Sequence, residues 1–232
     1  MEEATHTEQH STLSGFVRDV IIGMADGLTV PFAIAAGLAS AAVSSTTIII
    51  TAVLAEIAAG SISMGLGGFL AAQTEAQHYF AERRREEREV QEKPEAEEQE
   101  VVDALKKYGL SQDESAAVAT SLKTRKKDWV DFMMRFELGL EEPQRSRAVK
   151  SASTIAGAYI VGGFLPLAPY LFFRNDMSLA FELSIAVTAL SLLVFGYLRG
   201  FFIGGKPLRS MLQTLLVGGI AAAAAFAIAK LV

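Results

Sequence analysis

Apolar and charged positions divide the chain into two kinds of segment. Five stretches of about 20 or more mostly apolar residues carry at most one charged side chain each, and that length suffices to cross the hydrocarbon core of a bilayer. These stretches are Val20–Val43, Ser44–Ala72, Ser151–Phe173, Met177–Leu198 and Ser210–Ala229. The pattern predicts five transmembrane helices. The first is not expected to be a signal peptide, because its leader is acidic and no cleavage site follows a short apolar core.

The segment between the second and third stretches has the opposite character. Residues 74–147 hold 14 of the 21 Lys and Arg residues and 18 of the 26 Asp and Glu residues. So uneven a distribution indicates that the apolar stretches face lipid and the charged segment faces water, which excludes a single soluble globule. We therefore predict a helical domain outside the membrane, inserted between transmembrane helices 2 and 3.

Local signals predict several helices in this insertion. Glu75–Lys93 has neither Gly nor Pro and continues the second span as a helix. Pro94 suits the first turn of a new helix that Gly109 ends. Ser111 and Glu114 have the spacing of a capping box. Apolar residues at helical spacing then predict one further helix with a single apolar stripe: Trp129, Phe132, Met133, Phe136 and Leu140.

The expected fold is an all-α membrane protein with four segments along the chain. These are an N-terminal tail (1–14), transmembrane helices 1 and 2 (15–73), the inserted helical domain (74–147) and transmembrane helices 3 to 5 (148–232). Most basic residues lie on the side of the N-terminus, even when the insertion is left out. The positive-inside rule therefore predicts a cytoplasmic N-terminus and insertion, with the C-terminus lumenal or outside.

Composition removes several classes of function. The net charge of −5 is small and mixed in sign, so nucleic-acid binding is not indicated. The chain has no Cys, which excludes disulfides, Cys-ligated zinc, iron–sulfur clusters and a thiolate nucleophile. No phosphate-binding Gly-x-x-x-x-Gly-Lys-Ser/Thr loop occurs, which disfavours ATP-driven pumping. Any bound metal must be held by Asp, Glu, His, Met or backbone.

Two carboxylates stand out inside the predicted spans. Asp26 and Glu56 are the only charged residues of the first and second spans, and a carboxylate at mid-bilayer costs about 2.5–3.5 kcal/mol on insertion scales. Met64 lies two turns from Glu56 on one broad face that also includes Gly60. Carboxylate oxygens and a thioether sulfur at successive depths suit a divalent transition metal. The alternative is a hydrogen-bonded structural carboxylate with a packing methionine.

The first span also carries a helix-packing motif. Gly23-x-x-x-Gly27 brackets Asp26 and permits close approach of a second helix. If that partner is the same helix of another subunit, two Asp26 carboxylates face each other across the symmetry axis. We therefore expect a homodimer packed through transmembrane helix 1.

Acidic and thioether side chains recur at helical spacing in the insertion. Two glutamate pairs and a Met-Met-x-x-Glu motif each place their side chains on one helical face: Glu86 with Glu89, Glu97 with Glu100, and Met133 and Met134 with Glu137. Such a donor set suits Fe²⁺, Mn²⁺ or Zn²⁺ better than Cu(I). Taken alone, these glutamates also fit solvated, salt-bridged faces.

Together these motifs resemble the vacuolar iron transporter family. The resemblance comprises Asp26-Gly27 with Pro31, Glu56 with Met64, and the glutamate and methionine motifs of the insertion. It implies a homodimer in the vacuolar membrane that moves cytosolic Fe²⁺, or Mn²⁺, into the lumen against protons, without an organic cofactor. It assigns Asp26, Glu56 and Met64 to the transport pathway. It also implies a metal site in the cytoplasmic domain, made by Glu86, Glu89, Glu97, Glu100, Met133, Met134 and Glu137.

Two other functions remain open at this point. A membrane-anchored ferroxidase or di-metal carboxylate protein would use the glutamate helices, although the Glu-x-x-His motif usual in such bundles does not occur. A membrane-embedded metal sensor would use the insertion alone and would not need Asp26 and Glu56. We favour a transporter, not an enzyme.

Overall fold

The computed structural model describes residues 11–40 and 45–231, with side chains described for 15–40 and 45–228. Residues 1–10 of the predicted tail and 41–43 of the first predicted span lie outside the described residues. Within the described ranges the chain forms eight α-helices and one π-helix, Met133–Glu137. The α-helices are α1 (Ser11–Ser40), α2 (Thr46–Glu92), α3 (Pro94–Lys107), α4 (Gln112–Lys123), α5 (Lys126–Phe132), α6 (Arg147–Phe172), α7 (Met177–Phe202) and α8 (Pro207–Leu231).

Five of these helices, α1, α2, α6, α7 and α8, are long and apolar enough to cross a membrane. The predicted all-α fold with five membrane-spanning helices is therefore confirmed. The α2 helix also continues without a break for 47 residues to Glu92, which confirms the predicted extension of the second span. No Gly or Pro interrupts residues 69–92, so nothing in the sequence ends the helix earlier.

Contacts divide the chain into two compact units. The membrane unit comprises residues 1–69 and 148–232, and the inserted unit comprises residues 70–147. Each unit has its own buried cluster of apolar side chains. They are described separately below.

Helix packing in the membrane unit depends on small residues. A Cβ atom added to Gly162 of α6 would lie 3.0 Å from the backbone of Gly27 in α1, so two glycines oppose each other where α1 and α6 cross. Backbones approach this closely only where side chains are missing. A buried cluster from α1, α2, α6 and α7 completes the packing: Ala35, Ile49, Ile50, Val53, Ile57, Leu167, Tyr170 and Ala180.

In the inserted unit the local signals form as predicted. Pro94 occupies the first turn of α3, and Gly109 follows the helix with φ of 91°, a conformation that favours glycine. Ser111 and Glu114 form the capping box of α4. The core of the unit surrounds Trp129, which is 1% exposed. Arg83 of the α2 extension forms a 2.7 Å ion pair with Asp131 of α5.

The last predicted helix of the insertion is wrong in detail. The apolar stripe predicted one α-helix as far as Leu140, but α5 ends at Phe132 and a π-helix follows it. The Leu138 amide donates to the Met133 carbonyl, a 3.1 Å bond that spans five residues. The extra residue in this turn changes the face of each following side chain, and Phe136 of the stripe is 47% exposed. Gly139, with φ of 65°, follows the π-helix.

Candidate functional site

In the membrane unit, Glu56 is held by a residue from another helix. The hydroxyl of Tyr159, on α6, donates a hydrogen bond to Oε1 of Glu56 on α2. Tyr159 itself is 2% exposed. Gly60 creates the space for this pair, because a Cβ atom there would overlap the Tyr159 hydroxyl and lie 2.8 Å from Oε1 of Glu56. Oε2 of Glu56 is buried and has no hydrogen-bond partner among the described residues.

Asp26, on α1, lies near enough to this pair for its charge to act on Tyr159. Its carboxylate is half-buried and acts electrostatically on Tyr159, as does Glu56. Met64 is half-buried, two turns along α2 from Glu56. The three predicted pathway residues therefore all lie in the membrane unit, on α1 and α2.

Sequence reasoning missed two polar residues of this region. Tyr159 could have been suspected because a tyrosine hydroxyl buried in an apolar helix needs a hydrogen-bond partner. Asp19, 1% exposed and 3.8 Å from Arg18, lies two turns before Asp26 on α1. Asp19 directly precedes the first predicted span, so its burial gave no signal in the hydropathy pattern.

The prediction that Gly23 and Gly27 face a second subunit is wrong. A Cβ atom at Gly23 would overlap the carbonyl oxygen of Ile155, and one at Gly27 would lie 2.8 Å from Cα of Tyr159. Both neighbours belong to α6 of the same chain. The motif does mark a close helix contact, as its chemistry requires, but sequence alone could not tell which helix is the partner. A homodimer through α1 stays a prediction, and it would have to use other residues of α1.

The inserted unit brings the predicted glutamates of three elements together. We call Glu86 and Glu89 of α2, Glu97 and Glu100 of α3, and Glu137 of the π-helix the carboxylate cluster. The charges of the four other members all act on Glu86, and the charge of Glu100 also acts on Glu97 and Glu137. Glu86 and Glu97 are only 4% and 3% exposed, and Oε2 of each is buried without a hydrogen-bond partner among the described residues.

Burial and mutual repulsion change the acidity of this cluster. Burial, followed by the charges of Glu97 and Glu137, raises the pKa of Glu86 to about 7. Loss of hydration, followed by the neighbouring Glu100 carboxylate, raises the pKa of Glu137 to about 7 as well. Burial also raises the pKa of Glu97, with Glu100 as the next cause. Close to neutral pH, Glu86 and Glu137 are therefore only partly ionised.

The cluster is not a finished coordination sphere. Within the described residues, no three His, Cys, Asp or Glu side chains lie close enough together to hold a metal ion. Glu89 is engaged by Arg85 at 3.1 Å. Met133 and Met134, at 0% and 1% exposed, pack in the apolar core of the unit. Metal binding by all seven predicted residues would require side chains to rearrange.

The neighbouring glutamates behave differently. The Lys123 ammonium group donates a 2.7 Å hydrogen bond to the Glu98 carboxylate, and this bond lowers the pKa of Glu98. Glu82 lies 3.5 Å from Arg85 and 3.9 Å from His78. These two residues are the solvated, salt-bridged surface that the alternative interpretation expected for the whole insertion.

Comparison with known proteins places the chain. The model of the VIT family matches residues 17–230, which is nearly the whole chain. The chain belongs to the VIT family. Vacuolar iron transporter 1 of Arabidopsis thaliana is 52% identical over 98% of this chain and 90% of its own length. Vacuolar iron transporter of Centaurea cyanus is also 52% identical, over 97% and 91%. Protein CCC1 of Saccharomyces cerevisiae is 37% identical over 93% of this chain and 68% of its own length.

Proposed function

We propose that this chain is a proton-coupled transporter that moves Fe²⁺, and related divalent ions such as Mn²⁺, across the vacuolar membrane into the lumen. The names of its relatives in the VIT family support iron as the cargo. Family membership also favours a transporter over a ferroxidase or a sensor. Excess basic residues on the side of the N-terminus support a cytoplasmic inserted unit.

The observation that carries the proposal is the buried, half-satisfied carboxylate of Glu56. A carboxylate oxygen without a donor inside a membrane protein is costly and is retained where it has a function. Tyr159 fixes one oxygen and leaves the other available to a cation. A divalent ion cannot cross about 30 Å of hydrocarbon without ligands along its path. We propose Asp26, Glu56 and Met64 as these ligands, because Asp26 lies within α1 and Glu56 and Met64 lie two turns apart along α2.

The same carboxylates account for coupling to protons. When the cation leaves toward the lumen, Asp26 and Glu56 would remain as bare charges in a medium of low polarity. Taking up protons from an acidic lumen removes that cost. The carboxylates then return protons to the cytoplasmic side when the next cation binds, so no ATP is required.

We further propose that the carboxylate cluster captures metal on the cytoplasmic side. The buried Oε2 atoms of Glu86 and Glu97 are two acceptors without donors, and a cation would satisfy both. Oxygen donors of this kind suit Fe²⁺ and Mn²⁺. Met133 and Met134 would contribute only if they left the core of the unit. The cluster is thus a loading site rather than part of the membrane path.

Uptake into liposomes tests the proposal. Purified protein should move Fe²⁺, kept reduced, into liposomes with an acidic interior, and the rate should fall when the pH gradient is removed. Asp26→Asn or Glu56→Gln, each nearly isosteric, should abolish uptake and metal-driven proton flux.

Glu182→Gln is the matched control, because Glu182 is an exposed carboxylate near the start of α7. It should transport like the wild type. Normal, pH-dependent uptake by Asp26→Asn would show that the pathway lies elsewhere.

A further inference from the structure

A cavity beside Asp26 opens toward residues that the proposed transport path does not use. This cavity, of about 130 Å³, lies between α1, α7 and α8. Its polar lining residues are Asp26, Thr29, Arg199, Gln213 and Thr214. The remaining lining is apolar, for example Leu192 and Val217. A space of this size accommodates a guanidinium group or several water molecules.

Two of the five polar side chains already donate hydrogen bonds to the backbone of their own helices. The hydroxyl of Thr29 donates to the carbonyl of Ala25 at 2.9 Å, and the hydroxyl of Thr214 donates to the carbonyl of Ser210 at 2.9 Å. Within residues 11–40 and 45–231, neither the Asp26 carboxylate nor the Arg199 guanidinium makes a hydrogen bond or an ion pair. Arg199 and Gln213 are therefore the donors that this cavity can offer to Asp26.

Arg199 is the stronger candidate of the two. It lies one turn before the end of α7, on the side of the membrane unit where α1 begins, and it is half-buried. Gln213 of α8 is exposed and neutral. Ionised side chains inside membrane proteins pair with one another, because an isolated charge is costly there. A flexible arginine that shares one small cavity with an unpaired carboxylate has both the reach and the charge to neutralise it.

We propose that Arg199 is an internal counter-ion of Asp26: the two groups are unpaired among the described residues of this structure, and a change of the Arg199 side-chain rotamer within the shared cavity brings the guanidinium onto the carboxylate, where it competes with a metal ion. The inference rests on the proposed role of Asp26 in carrying the cation. Arg199 then acts as a positioning residue: in its paired rotamer it neutralises the Asp26 carboxylate, and the incoming ion has to displace it. Tyr159 of α6, on which the Asp26 charge acts, carries no positive charge that could substitute for Arg199.

Competition predicts a specific kinetic change. Arg199→Gln should lower the KM for Fe²⁺, because the ion no longer displaces a guanidinium group. Side-chain pairs in membrane proteins contribute about 0.6 kcal/mol on average and about 1.7 at most, so the KM should fall about threefold and at most about twentyfold. The maximal rate should stay equal or fall, because the variant also lacks the guanidinium group that helps to displace Fe²⁺ from Asp26 when the ion is released.

Conservative and neighbouring substitutions serve as controls in the same liposome assay. Arg199→Lys keeps the charge and should keep the wild-type KM within about twofold. Gln213→Leu removes the neutral donor of the cavity and should have no effect on KM. An unchanged or raised KM in Arg199→Gln would overturn the inference, as would the same decrease in Arg199→Lys.

A second measurement does not depend on transport. Thermal unfolding of the metal-free protein in detergent is compared for wild type, Arg199→Gln, Asp26→Asn and the double variant. If the residues pair, the effects of the two substitutions are not additive. Additive effects would overturn the pairing. If the wild type takes up no Fe²⁺, the proposed function fails, and this thermal cycle still decides whether Arg199 and Asp26 pair.

Discussion

Replacing Glu86 by glutamine tests the electrostatics of the carboxylate cluster directly. Glu86 is 4% exposed, and its Oε2 lacks a hydrogen-bond partner in the described part of the chain. Burial, with the charges of Glu97 and Glu137, raises its pKa to about 7. Glu86→Gln removes the charge and nearly keeps the shape. We therefore expect the metal-free inserted unit to become more stable.

The size of this effect follows from the pKa. A carboxyl group with an ordinary pKa of 4.5 and a folded-state pKa of about 7 destabilises the folded state by about 3 kcal/mol once it is fully ionised. Relaxation and water penetration reduce this to about 1–3 kcal/mol. Because the folded-state pKa is raised, the cost is absent below about pH 4.5, grows as the pH rises to about 7, and is complete above that.

Hydrogen exchange of the full chain in detergent, with a chelator present, measures this stability locally. At pH 8, amides of the α2 extension and α3 should exchange roughly 5- to 150-fold more slowly in Glu86→Gln than in the wild type. At pH 5 the two proteins should differ much less. Comparison at equal pH removes the intrinsic pH dependence of exchange.

Glu98→Gln is the matched control on α3. Glu98 has a cationic partner, Lys123, at 2.7 Å and a lowered pKa, so its substitution should leave exchange unchanged or make it slightly faster. If Glu86→Gln increased the stability of the inserted unit equally at pH 5 and pH 8, packing and not charge would be responsible. No gain at pH 8 would refute the reasoning altogether.

Three further predictions concern binding, packing and the membrane site. Calorimetry should show Mn²⁺ binding to the full chain weakening as the pH falls from 8 to 5, because Glu86 and Glu137, each with a pKa of about 7, become protonated; constant affinity would exclude them as ligands. Gly27→Ala should destabilise the detergent-solubilised protein by about 1–3 kcal/mol through overlap with α6, whereas Gly157→Ala, with open space around it, should not. Tyr159→Phe should raise the KM for Fe²⁺ several-fold by releasing Glu56; an unchanged KM would make that bond structural only.

Local chemistry alone determined much of this protein. Runs of apolar residues specified the membrane spans, since the bilayer demands a continuous apolar surface of fixed length. Pro94, Gly109 and the Ser111–Glu114 capping box specified the first two separate helices of the inserted unit, because these signals act within one turn. The positions of Asp26 and Glu56 were likewise visible as charges in apolar surroundings. Helical spacing also placed the glutamate pairs of the cluster on single faces.

Tertiary structure decided which surfaces meet. The Gly23–Gly27 motif indicated a close helix contact, but only the packed chain identified α6 as its partner. Tyr159 reaches Glu56 across 103 residues of sequence, and Arg199 shares a cavity with Asp26 from the far end of α7. The π-helix interrupts the expected stripe, and it is the packed unit that places both Met133 and Met134 in the core with Trp129. Sequence patterns report periodicity within a helix, whereas partners across helices depend on the fit of side chains from distant segments.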